Sequence, residues 1–314
     1  MNDHERSSSV DGTVRVGDLT FDNPVIAASG TFGFGGELAP YYDLSVLGGI
    51  CTKGLTLRPR AGNPPPRVAE TASGMLNAVG LQNPGIESFL EKELPRMLSY
   101  GSRIIANIAG QELCEYSELA RLLDQTEVDA VELNLSCPNV SAGCLAIGSE
   151  PHLIEEVTAA CREVTDKPLW VKLTPNVTHI ALCAQAAERG GADAVVLINT
   201  LLGLAVDLAT ERPILRNNTG GLSGPAIKPV ALRMVKEVYD HTDLPIVGLG
   251  GIARAEDALE FMLCGASAVQ VGTASLVDPG MIFRLPGEMA EIASQYGYSR
   301  LAEYTGRLQF WERT

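Results

Sequence analysis

The sequence predicts a (β/α)8 barrel. Eight short apolar runs recur along its 314 residues, helical patterns lie between most of them, and no composition break marks a second domain. Eight strands alternating with helices imply a parallel sheet closed on itself. An open doubly wound sheet is the structural rival, and the even spacing of the runs favours the barrel.

Taken in order, the strand runs fall at residues 24–29, 49–53, 103–108, 130–136, 169–173, 194–199, 245–248 and 268–271. Each is apolar and β-branched and is bounded by Gly, Pro or Asn, as short strands are. Helical periodicity covers 84–98, 113–123, 151–164, 179–189, 229–239 and 255–263. Asn83-Pro84 reads as an N-cap followed by proline at the first helical position. Residues 1–12 are polar and Ser-rich with no apolar centre, so a loose tail is expected there and a barrel over 13–314.

Composition narrows the function. A net charge of −14 argues against nucleic acid, which needs a basic face. No stretch reaches the apolar length that spans a bilayer. Seven cysteines are scattered without a C-x-x-C pair, which fits a reducing cytoplasm and excludes an iron–sulfur or structural zinc site on this chain. None of the four histidines ends a strand run, so no histidine base and no metal site are expected.

The C-terminal ends of barrel strands share one face, where chemistry collects. Here those ends carry Ser29-Gly30, Lys53-Gly54, Asn107, Asn134 to Asn139, Lys172, Asn199-Thr200, Gly250-Gly251 and Gly272-Thr273. Polar groups or paired glycines at all eight describe one pocket. The glycine turns after strands seven and eight match a phosphate cradle, since glycine admits a ligand close to backbone N–H groups, and two plain tight turns are the alternative. Lys53 and Lys172 lie in apolar strands and need anionic partners, either a ligand or a glutamate such as Glu132. Cys137 follows strand four among uncharged hydrogen-bonding groups and is either a reactive thiol or a small core hydrophobe. Residues 30–36 lack the G-x-G-x-x-G spacing of a dinucleotide loop. Excursions at 55–83, 201–225 and 139–150 read as lids or binding loops.

Short matches in one order run from about Val16 to Gly306. They include Ala28-Ser-Gly-Thr-Phe-Gly-Phe-Gly35, Thr52-Lys-Gly-Leu-Thr56, the run Met75 to Gly85, and Glu132 to Asn139. Val171 to Pro175, Ile198-Asn-Thr200 and Gly221 to Pro229 follow. As a set these motifs resemble the class 1 dihydroorotate dehydrogenases. The resemblance implies FMN, one per chain, and oxidation of dihydroorotate to orotate in pyrimidine biosynthesis. It places Cys137 as the base for the C5 proton. It gives Lys53, Asn77, Ala78, Val79, Gly80, Leu81, Asn134, Asn199 and Thr200 to the substrate, with Asn139 a further candidate. It assigns Ser29, Lys53, Gly54, Asn107, Asn134, Lys172, Ile198, Gly224, Gly250, Gly251, Gly272 and Thr273 to FMN, with Lys172 steadying the reduced ring.

The run after Asn139 is closest to class 1B, as are Ile198 to Gly203 and Gly221 to Pro229. Class 1B implies a homodimer core with two partner subunits carrying FAD and a [2Fe–2S] cluster, and NAD+ as acceptor. Cys144 stands where a second glycine is usual in that class. A fumarate-reducing class 1A homodimer, a dihydropyrimidine dehydrogenase-type flavin subunit and a noncatalytic FMN scaffold are the rival readings.

Overall fold

The computed structural model describes residues 10–135 and 147–311. Its eight apolar runs form eight strands hydrogen-bonded in one closed ring. They are β1 (Val25–Ala27), β2 (Gly49–Cys51), β3 (Arg103–Ile108), β4 (Ala130–Asn134), β5 (Leu169–Lys172), β6 (Ala194–Leu197), β7 (Ile246–Leu249) and β8 (Ala266–Val271). All pair in parallel, and β8 closes onto β1 through Val269–Val25, Gln270–Ile26 and Val271–Ala27. The fold is therefore the barrel and not the open sheet. Nearly every strand residue is buried, because one face fills the lumen and the other lies under helices.

The outer helices turn an apolar stripe inward. In Leu113–Asp124 the buried residues are Tyr116, Leu119, Ala120 and Leu123, the spacing of one helical face. Pro151–Arg162, Ile180–Arg189, Lys228–Tyr239 and Ala255–Leu263 repeat the pattern along the ring. Met281–Gln295 was not expected from the sequence: it contains Pro286, and Leu285-Pro-Gly287 reads locally as a break. It buries Ile282, Leu285 and Met289 regardless, so packing overrides propensity.

Three further expectations need correction. Val10–Gly12 do not belong to a loose tail, since Asp11 N–H donates to Ser299 O and Asp11 O accepts from Leu301 N–H. A hairpin follows (Val14–Val16 with Leu19–Phe21), whose Phe21 packs on Trp170 of β5. The helix after β2 starts at Ile86 with Gly85 as its N-cap, not at Pro84. Asn83 is occupied elsewhere: its amide oxygen accepts from Gly85 and Thr56 N–H, and its NH2 donates to Leu81 O at 2.7 Å. Finally, the excursions at 55–83 and 201–225 are not independent loops. Their strands Val68–Thr71, Gly74–Asn77, Leu201–Gly203 and Gly220–Ser223 form one antiparallel four-stranded sheet.

Candidate active site

The C-terminal ends of the barrel strands open into one cavity, whose empty space with its solvent-filled mouth included is about 1310 Å³. One wall is glycine. Gly224, Gly250 and Gly251 take φ of +94°, +126° and +86°, which side chains disfavour. A Cβ on Gly251 would stand 2.9 Å from the Gly224 carbonyl oxygen and 2.8 Å from the Lys228 Cβ. The wall is thus bare backbone, the surface a phosphate group approaches closely. Gly272 and Thr273 continue it, with Thr273 Oγ1 hydrogen-bonded to Ser223 Oγ at 2.8 Å.

The floor is built around Glu132, fully buried in β4. Its Oε1 accepts from Asn107 Nδ2 of β3 at 2.6 Å, and its Oε2 accepts from Gln270 Nε2 of β8 at 2.6 Å, across the barrel lumen. Cys51 Sγ of β2 donates to Oε1 at 3.4 Å. Burial, reinforced by this carboxylate, pushes the Cys51 thiol well above its ordinary range, so it stays a donor. Lys172 Nζ of β5 lies 3.6 Å from Oε1 while its side chain lines the cavity. The two readings of Lys172 from the sequence therefore coexist: it has an internal glutamate partner and it also faces the site.

The remaining walls bring amides together. Asn199 Nδ2 donates to Asn134 Oδ1 at 3.3 Å, joining the ends of β4 and β6. Thr200 N–H donates to Asn199 Oδ1 at 2.8 Å, which fixes that amide's orientation. Asn77 reaches the rim on the four-stranded sheet, opposite Gly221. Lys53 enters from the segment after β2, where its N–H donates to Gly33 O and its Nζ lies 3.5 Å from the point a Gly30 Cβ would occupy. Among the described residues no cluster of His, Cys, Asp and Glu is arranged to hold a metal.

Comparison with known proteins decides the family. The family model described as dihydroorotate dehydrogenase matches residues 12–292. The chain belongs to the dihydroorotate dehydrogenase family. Among its relatives is the "Dihydroorotate dehydrogenase B (NAD(+)), catalytic subunit" of Bacillus pumilus, 52% identical over 94% of this chain and 95% of that one. Proteins of the same name from Solidesulfovibrio magneticus and Alkaliphilus metalliredigens are 52% and 50% identical, each over 96% of this chain and 99% and 100% of their own lengths. The match is to the class expected from the run after Asn139. As a dihydroorotate dehydrogenase the chain is an oxidoreductase.

Within this family member, the structure brings almost all the expected residues to one cavity. Lys53, Asn77, Val79, Gly80, Leu81, Asn134, Asn199 and Thr200 line it, and so do Ser29, Gly54, Lys172, Ile198, Gly224, Gly250, Gly251, Gly272 and Thr273. Two do not. Ala78 is buried against Ala69, Leu76 and Leu215 beneath the four-stranded sheet, because its neighbours alternate to the opposite face. Asn107 is fully buried and bound to Glu132, with Gly54 packed so close that a Cβ there would stand 2.9 Å from Asn107 Oδ1. Cys137, Asn139 and Cys144 lie outside the described residues. Sequence reasoning missed Gln270 and the central place of Glu132. Both are polar residues inside otherwise apolar strands, and that was the available signal.

Proposed function

We propose that this chain is the catalytic subunit of an NAD+-linked dihydroorotate dehydrogenase. It oxidises (S)-dihydroorotate to orotate in the cytoplasm, and a partner subunit carrying FAD and a [2Fe–2S] cluster passes the electrons to NAD+, around a homodimeric core. The observation that carries this reading is the convergence of Lys53, Asn134, Lys172, Asn199 and a bare glycine wall on one cavity. The family match and the printed names of the relatives support it.

The residues fit FMN. Gly224, Gly250, Gly251, Gly272 and Thr273 would offer backbone to its phosphate, and Ser29, Gly54, Asn134, Lys172 and Ile198, which line the same cavity, would hold its ring. FMN, when bound, supplies the acceptor for the hydride leaving C6. The chain supplies the rest. Asn77, Asn134, Asn199 and Thr200 hydrogen-bond the substrate's amide-like ring, and Lys53 pairs with its carboxylate. The Cys137 thiolate takes the C5 proton, so C5 and C6 lose a proton and a hydride and become doubly bonded.

The test is to purify the chain, record its flavin spectrum, and add dihydroorotate without oxygen, with dihydrouracil as the control. Bleaching by dihydroorotate alone supports the reaction. NAD+ reduction that starts only when the partner subunit is added supports the class, and turnover with fumarate by the chain alone overturns it.

A further inference from the structure

We infer that Glu132 is a positioning residue of this site: it holds the Lys172 ammonium at the cavity floor and offsets its charge there. The inference rests on the FMN reading above and deepens it. Glu132 lies in β4, two residues before Asn134, yet contributes nothing to the cavity lining itself. It is tied to four other strands of the ring at once. Asn107, Gln270 and Cys51 bring donors to its two oxygens, and Lys172 brings the only charge among these four.

The hydrogen bonds around Glu132 suit a carboxylate. A carboxylate only accepts, so both amides must turn NH2 toward it, and Cys51 donates as well. Asn107 Nδ2, Gln270 Nε2 and Cys51 Sγ all donate to Glu132, while the other ends of the two amides, Asn107 Oδ1 and Gln270 Oε1, are buried without a partner. Glu132 is held in place from β2, β3 and β8, and Lys172 brings it a cationic partner at 3.6 Å. That geometry sets where the ammonium stands. Lys172 is nearly sealed, and its long side chain would otherwise sample several rotamers at the cavity floor.

Charge near a flavin ring tunes its electronics, because the reduced ring is the more electron-rich form. Lys172 favours that form and Glu132 opposes it, so the pair sets a balance that neither residue sets alone. A purely structural Glu132 would affect stability and leave that balance untouched.

The experiment is to measure the midpoint potential of bound FMN by dye equilibration in the wild type, Glu132→Gln and Glu132→Asp, with FMN affinity measured in parallel. Removing the negative charge in Glu132→Gln raises the potential. Glu132→Asp, which keeps the charge but draws it back from Lys172, gives a smaller rise in the same direction. A flavin bound at the wild-type potential in Glu132→Gln overturns the inference. Should that variant not fold, an unchanged potential in Glu132→Asp overturns it equally. If the wild type neither carries nor takes up FMN, the cofactor reading fails, a result distinct from bound flavin at an unchanged potential.

Discussion

Gly221→Ala tests whether the four-stranded sheet sets the position of Thr200. Gly221 pairs with Asn77 on one side and Leu202 on the other. A Cβ there would stand 2.0 Å from Thr200 Oγ1 and 2.6 Å from Thr200 Cβ. Ordinary van der Waals contact between such atoms is about 3.5 Å, so about 1 Å or more must be recovered. Thr is β-branched and stiff at χ1, so it cannot turn aside freely, and the strand must yield instead. Overpacking of this kind costs typically about 1–3 kcal/mol. With an unfolding entropy of about 2.1 cal/mol/K per residue over 314 residues, about 2 kcal/mol lowers Tm by about 3 °C. Calorimetry reads that shift, and steady-state kinetics should show a raised KM for dihydroorotate as Thr200 leaves the rim. Adding Thr200→Gly removes the obstructing atoms and should restore Tm relative to the single variant. If Gly221→Ala matches the wild type in both Tm and KM, the close approach of sheet and strand end is wrong.

Other perturbations probe separate parts of the molecule. Cys137→Ala should keep its flavin but slow bleaching by dihydroorotate about 10²–10⁴-fold, the usual worth of a general base; unchanged stopped-flow reduction removes Cys137 from that role. Glu132→Ala leaves the buried Lys172 ammonium without its counter-ion, and should cost roughly 3–5 kcal/mol in denaturant titrations. A loss smaller than that of Gly221→Ala would contradict this. Burial pushes the thiols of Cys161 and Cys183 up to about 12 and about 11. An unfolded thiol ionises near about 8.5, so both raised values add stability that is complete below that pH and lost as pH climbs toward the folded values. Tm should therefore decline on the alkaline side, and Cys161→Ala should make the decline shallower. An equal slope in the variant refutes the attribution.

The barrel was legible because parallel strands are buried on both faces and appear as separate apolar runs. The cavity was legible because each run carries a polar side chain or glycine at or beside its end. Strand limits were less so: Ser29, Lys53 and Asn199 each lie two residues beyond the end of their strand, where the chain has already turned into the rim. The accessory sheet was hidden because Gly220-Gly-Leu-Ser223 lacks alternation, and its pairing is specified by a partner over a hundred residues away. Gln270 and its tie to Glu132, itself a candidate partner of Lys172 in the sequence, were hidden for a related reason. A contact across the lumen, 138 residues apart, leaves no periodic trace in either strand. The role of Asn83 was misread because its capping chemistry serves the loop before the helix as well as Gly85.

The accessory sheet also bears on how such a barrel could be altered. Asn77 is borne by the excursion after β2 and Gly221 by the one after β6, yet they are neighbours in one ladder. Neither excursion carries a complete set of backbone partners by itself. Transplanting only one of them into another barrel would strand an unpaired edge and displace Asn77 or Thr200 from the rim. The two inserts form a single exchangeable unit, split in the gene but joined in space, and grafting experiments should move them together.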